Sequence, residues 1–139
     1  MKGAPKGMPL PAVNSVTEPF WVGCAGHKLL VQRCKACGTH WHAPAPLCGN
    51  CQSRDYTWEQ SKGTGAVYSY FVAHYAVHSS LKEQVPYGVV VVKLDDCGGV
   101  CITSNLLDTE PGDIRVGMRV KVAWEDMGQG ITLPRFVRA

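Results

Sequence analysis

The spacing of four cysteines constrains this chain more than any other feature. Cys34, Cys37, Cys48 and Cys51 lie in the run RCKACGTHWHAPAPLCGNC: a CxxC, ten intervening residues and a second CxxC. A two-residue gap lets a tight knuckle aim two sulfurs at one point. Two knuckles brought together offer four thiolates in a tetrahedron, the geometry a structural zinc ion accepts at Zn–S distances of about 2.3 Å. Such a site is coordinatively closed, so its metal holds structure and performs no chemistry. Iron is the runner-up metal. Two disulfides would need an oxidising compartment, and a redox CxxC comes singly. Gly38 directly follows the first knuckle, where left-handed backbone turns amides toward the sulfurs. Asn50 is expected to help the second knuckle in a similar way.

The 139 residues have room for one ordinary domain, or for a small metal module plus a small barrel. A hydrophobic fraction of 45% with 18% charged residues is that of a globular protein. No apolar stretch approaches the roughly 18 residues that span a bilayer. The N-terminus lacks the apolar core of a signal peptide, so a cytoplasmic, soluble chain with no membrane partner is expected. The net charge of +3 is weak and its basic residues are scattered, with one mild cluster at Lys28, Arg33 and Lys35. That is no nucleic-acid footprint by itself. The three remaining cysteines, Cys24, Cys97 and Cys101, read as small buried apolar side chains.

Residues 1–16 are rich in Gly, Pro and Lys without periodicity and read as a mobile tail. Residues 17–33 read as a short helix running toward a strand at Leu29–Gln32. Thr17 is the expected cap, Pro19 is tolerated in the first turn, and Phe20, Trp21, Cys24 and His27 share one side. The Phe-Trp pair needs a surface to cover it, either its own domain or another chain. Residues 34–60 form the ribbon. Pro44 and Pro46 force an extended link between the knuckles. His40 and His42 read as surface histidines, and Trp41 as a cover for the metal or a partner contact.

Residues 61–139 are strongly β. Gly63–Gly65 is a turn or bulge. Strands are expected at Ala66–Val77, Tyr87–Leu94, Val100–Asn105, Met118–Glu125 and Ile131–Val137, with a polar loop at Ser79–Pro86. Val120, Val122 and Trp124 alternate against Arg119 and Lys121. Pro134 places the last strand on an edge or at a bulge. Five strands without a long helix in about 75 residues point to a small closed barrel, with an OB-fold favoured over an SH3-like barrel.

The ordered phrases PFWVGCAGHKLLVQRCKACG, APLCGNCQS, GTGAVYSYFVAHY, VPYGVVVVKLDD, NLLDTEPGDIRVGMRVKVAWED and ITLPRFVRA closely resemble the acyl-CoA-associated zinc-ribbon/OB-fold family, formerly domain of unknown function thirty-five. The resemblance covers residues 19–139. It implies a mainly β chain with a short N-terminal helical segment, a rubredoxin-like zinc ribbon and a C-terminal five-stranded OB-fold barrel. It carries the zinc ligands onto Cys34, Cys37, Cys48 and Cys51. The phrase DDCGGVCITSN departs from the pattern, with two cysteines and a Gly pair where relatives usually have a plainer turn.

Family members are typically small partners of enzymes acting on acyl-CoA thioesters. The resemblance therefore implies a non-catalytic accessory subunit of a thiolase-type enzyme, in a hetero-oligomer whose catalytic groups lie in the larger chain. A MaoC-like hydratase or an acyl-CoA aldolase is the alternative partner. Lys28, Arg33 and Lys35 are candidate contacts for CoA phosphates, or else a solvated face. The loop from His78 to Tyr87, with Tyr70, Tyr75 and Trp124, is a candidate acyl or partner surface. Two other readings compete. A nucleic-acid-binding OB module would need a basic groove with stacking aromatics. A stand-alone enzyme would have to use His74 and His78, which lie near Asp95 and Asp96, without a recognisable nucleophile.

Overall fold

A computed structural model describes residues 3–139. Its elements run α1 (Glu18–Ala25), β1 (Leu29–Cys34), β2 (His40–Trp41), β3 (Tyr56–Ser61), β4 (Thr64–Ala73), β5 (Tyr87–Leu94), β6 (Cys101–Ser104), β7 (Arg119–Asp126) and β8 (Thr132–Arg138). Short 3₁₀ turns occupy Ser79–Leu81, Cys97–Gly99 and Pro111–Asp113. Among the described residues, no helix is long and apolar enough to cross a membrane.

The strands form two antiparallel sheets: a three-stranded sheet in the order β2-β1-β3, and a five-stranded sheet in the order β6-β5-β4-β7-β8. The larger sheet curls until its ends meet. Leu106 bridges Phe136 in parallel, the Phe136 amide donates to the Asn105 carbonyl at 3.1 Å, and Ser104 Oγ donates to the Pro134 carbonyl at 2.7 Å. This is the closure of an OB-fold barrel. Strand alternation supplies its interior: Val90, Val92, Ile102, Val120 and Phe136 are fully buried, while Arg119 and Lys121 face out. Pro134 lies on the end strand, where its missing N–H leaves no ladder bond unmade.

Several local expectations need correction. Thr17 stands at the N-cap of α1 as expected but makes no side-chain capping bond; Asn14 instead closes the preceding turn, its side chain accepting from the Val16 and Thr17 amides at 2.9 and 3.0 Å. The helix ends at Ala25, so His27 leaves the expected helical side and stacks on Trp124 with centroids 5.5 Å apart. The long strand stops at Ala73, not Val77. Gly63 turns the chain at φ 77°, but Gly65 is already in β4, and the register shift falls between Val67 and Ser69. An added Cβ at Gly65 would stand 2.3 Å from the Lys93 carbonyl oxygen, so only glycine permits β4 to approach β5 there. Of the N-terminal segment, Met1 and Lys2 lie outside the described residues. The Ala4 amide donates to both Glu125 carboxylate oxygens at 3.0 and 3.1 Å.

Candidate metal centre and partner surface

The two cysteine knuckles are built alike. The Cys34 amide donates to the Thr39 carbonyl, and the Gly38 amide returns to the Cys34 carbonyl. Fourteen residues on, the Cys48 amide donates to the Ser53 carbonyl, and the Gln52 amide returns to the Cys48 carbonyl. Each return needs a left-handed residue: Gly38 at φ 78° in the first knuckle and Gln52 at φ 59° in the second. Asn50 therefore plays a different part from the one expected. Its amide points at Cys48 Sγ at 3.4 Å, and its side-chain Nδ2 lies 3.6 Å from Cys37 Sγ.

These turns bring the four sulfurs within 4.8 Å of one another, with Cys34–Cys51 and Cys37–Cys48 each at 3.6 Å. Sulfurs at the corners of a tetrahedron of 2.3 Å bonds stand about 3.8 Å apart, so the cage fits zinc. The donor set also needs a cation. The Thr39 hydroxyl and amide, with Asn50, pull the Cys37 thiol down to about 5. The Ser53 amide favours a Cys51 thiolate, yet Cys34, Cys37 and Cys48 beside it, with desolvation, outweigh that and push it up to about 12. Four sulfurs so close cannot all ionise without positive charge among them. Cys34 and Cys48 are buried, whereas Cys37 and Cys51 face solvent.

The link between the knuckles is held by a residue that sequence reading passed over. Gln32 is buried, and its side chain both donates to the Ala45 carbonyl and accepts from the Ala45 amide, each at 2.8 Å. A buried polar residue in an apolar strand was the available signal. This anchor folds the link onto the protein, so the two histidines are not surface residues. His40 Nε2 bonds Glu59 Oε2 at 2.7 Å. His42 packs on Phe20 with centroids 5.3 Å apart, and burial pushes its imidazole down toward the neutral form. Trp41 packs edge-on to Tyr56 at 5.6 Å.

The basic trio is strung along β1. Arg33 pairs with Glu59 at 3.7 Å and Lys35 with Asp55 at 3.6 Å. Lys28 precedes the other end of the strand, roughly 17 Å from Arg33 at about 3.3 Å per residue. Of the spare cysteines, Cys24 and Cys97 are buried, and burial pushes their thiols up to about 12 and about 11. Cys101 is exposed instead, because alternation in β6 turns it outward with Thr103. A groove of about 460 Å³ separates α1 from the barrel, walled by Phe20, Trp21, His42, Ile102 and Leu133.

The outer half of β4 offers a second surface. β7 pairs with β4 only over Thr64–Ala66, so beyond the bulge β4 keeps β5 on one side alone. Tyr68 and Phe71 are exposed on this strand, Phe71 at 59%, and Tyr75, at 81%, and Val77 are exposed in the segment that follows it. Tyr70 is exposed at 37%, whereas Trp124 is packed against the core.

Two family models match: the rubredoxin-like zinc ribbon domain of ChsH2 over residues 21–57 and the C-terminal OB-fold domain of ChsH2 over residues 58–125. A DUF35 domain-containing scaffold protein of Methanocaldococcus jannaschii is 33% identical over 109 residues, which cover 74% of this chain and 74% of that protein. The chain belongs to the DUF35 family. This DUF35 chain is also 39% identical over 134 residues to a probable enoyl-CoA hydratase alpha subunit of Thermomonospora curvata. The match takes in 95% of the DUF35 chain but spans only 40% of that relative's length. A solved structure of the Ltp2-ChsH2(DUF35) aldolase superposes with a TM-score of 0.81 at 36% identity, covering 93% of this chain and 98% of the solved one. The zinc-ribbon match and the four-sulfur cage together support a structural zinc.

His74, His78, Asp95 and Asp96, the candidates for a stand-alone active site, have these surroundings in the DUF35 chain. His78 Nδ1 lies 2.7 Å from Ser80 Oγ, and His74 and His78 are both exposed. Asp95 pairs with Arg119, whose guanidinium holds its carboxyl below the usual range. Asp96 accepts from Ser61 and from the Lys62 amide.

Proposed function

We propose that this chain is a non-catalytic accessory subunit that docks on a catalytic chain acting on acyl-CoA thioesters, with a thiolase-type enzyme as the partner. One observation carries the reading: close superposition over 98% of the matched chain of the Ltp2-ChsH2(DUF35) aldolase, a structure named for two proteins together. In this reading Cys34, Cys37, Cys48 and Cys51 hold a structural zinc that sets the ribbon, and the outer half of β4 meets the partner. Exposed aromatics of this size are the side chains that anchor protein interfaces. CoA phosphates would be met by Arg33 and Lys35, which pair only with exposed carboxylates that an anion can displace. Lys28 lies too far along β1 to reach the same phosphate. The relative named as a hydratase alpha subunit favours a second reading, in which the partner is a hydratase chain.

The test is capture of the tagged chain from its native lysate in reducing buffer, with mass spectrometry of what accompanies it. A stoichiometric thiolase-type, aldolase or hydratase chain is expected, and its identity decides between the readings. Phe71→Asp and Tyr75→Asp should each abolish capture without changing zinc content or melting temperature. Recovery of the protein alone after mild crosslinking, or acyl-CoA turnover by the isolated chain, would overturn the proposal.

A further inference from the structure

The unusual phrase DDCGGVC folds back onto the ribbon. Cys97, Gly98 and Gly99 all have positive φ, at 51°, 69° and 70°, and this turn carries the Cys97 side chain into the interior. The turn sits directly on His40: a Cβ at Gly98 would stand 2.9 Å from the ring's Nδ1. A ligand atom from each of His40, Glu59 and Cys97 lies within 4.8 Å of the other two. The three residues come from β2, β3 and the turn after β5, so the ribbon supplies two and the barrel one.

We infer that His40, Glu59 and Cys97 form a second divalent-metal site, separate from the four-cysteine cage, that ties the ribbon to the barrel. One imidazole nitrogen, one carboxylate oxygen and one thiolate sulfur are a zinc donor set, with bonds of about 2.0–2.3 Å. Ligand atoms around one such ion stand about 3–4 Å apart. His40 Nε2 and Glu59 Oε2, hydrogen-bonded at 2.7 Å, therefore need to part by only about 0.5 Å to admit it. Glu59 is 39% exposed, which leaves the fourth position to water. Arg33, 3.7 Å from the same carboxylate oxygen, is the cation the metal must outcompete.

Zinc counting on the full chain tests this. The protein is equilibrated with excess zinc, stripped of loose ions by gel filtration and assayed for zinc per chain. Two equivalents are expected for the wild type, and one each for Cys97→Ser and Glu59→Gln. Glutamine preserves a hydrogen-bonding partner for His40, so a purely structural clasp predicts no loss in that variant. Cobalt substitution separates the two sites: the strong absorption of the four-thiolate ribbon should persist in both variants, which should lose only the smaller increment that the single Cys97 thiolate adds in the wild type. One equivalent in the wild type, or two in either variant, overturns the inference.

Discussion

Ser61 Oγ donates to Asp96 Oδ1 at 2.6 Å, joining the last ribbon strand to the barrel turn that follows β5. The next amide, Lys62, donates to the other carboxylate oxygen at 2.8 Å, and the Gly63 amide donates to Ser61 Oγ at 3.0 Å. One carboxylate thus gathers the connection between β3 and β4 and sets how the metal module stands on the barrel.

Asp96→Asn should destabilise the protein by about 1 kcal/mol near neutral pH, below the roughly 1.5–3 kcal/mol of a buried hydrogen bond to a charged group because the carboxylate is partly solvated. Desolvation raises the Asp96 carboxyl, but the Lys62 amide and the Ser61 hydroxyl outweigh it and hold the group below its usual value. Its stabilising contribution is therefore complete above the unfolded value of about 3.9 and is lost as pH falls through the lower folded value. Thermal melts from pH 7 to pH 3 should show the gap between wild type and variant closing at the acid end. A gap that widens on acidification would contradict this.

Cys37→Ser should release the ribbon's zinc and unfold residues around the cage, because metal binding and folding are one equilibrium in such modules. A structural zinc in a small module contributes about 10–16 kcal/mol. Metal analysis and tryptophan emission, read through Trp41 and Trp58, check the outcome. Unchanged metal content together with an unchanged melting curve would refute the ligand assignment.

Gln32→Glu should cost about 1–3 kcal/mol. The carboxylate keeps an acceptor for the Ala45 amide but loses the donor to the Ala45 carbonyl, facing it with a buried negative oxygen. Denaturant titration measures the loss. A penalty well below about 1 kcal/mol would show that the bidentate anchor is not what holds the link.

Gly65→Ala should destabilise the barrel by about 2–3 kcal/mol, since its methyl would meet the Lys93 backbone and not a side chain that can move. Hydrogen exchange should report it first at the β4–β5 ladder around Leu94 and Lys93, the partners of Gly65 and Ala66. Equal protection there in variant and wild type would contradict it.

Doubled CxxC spacing made the cage legible without coordinates, because a knuckle's geometry is local and its sulfur ligands are adjacent in the chain. Alternation did the same for β7, where buried Val120 follows outward Arg119, and a continuous apolar run did it for β5. The resemblance named the family for the same reason: ordered local phrases survive in one dimension. What a residue separated in sequence will meet is not written locally. His40 reads as a surface histidine until the turn at Cys97–Gly99 and Glu59 close around it, and Gln32 has no visible purpose until Ala45 returns to it. Cys101 and Cys97 look alike in DDCGGVC, yet strand pairing turns one outward and a left-handed turn buries the other. Short-range chemistry and periodicity thus determined the metal cage, the barrel strands and the family. Contacts between distant segments, whose cost in chain entropy is repaid only when the whole core assembles, decided the ribbon–barrel joint, the half-buried histidines and the exposed aromatics of β4.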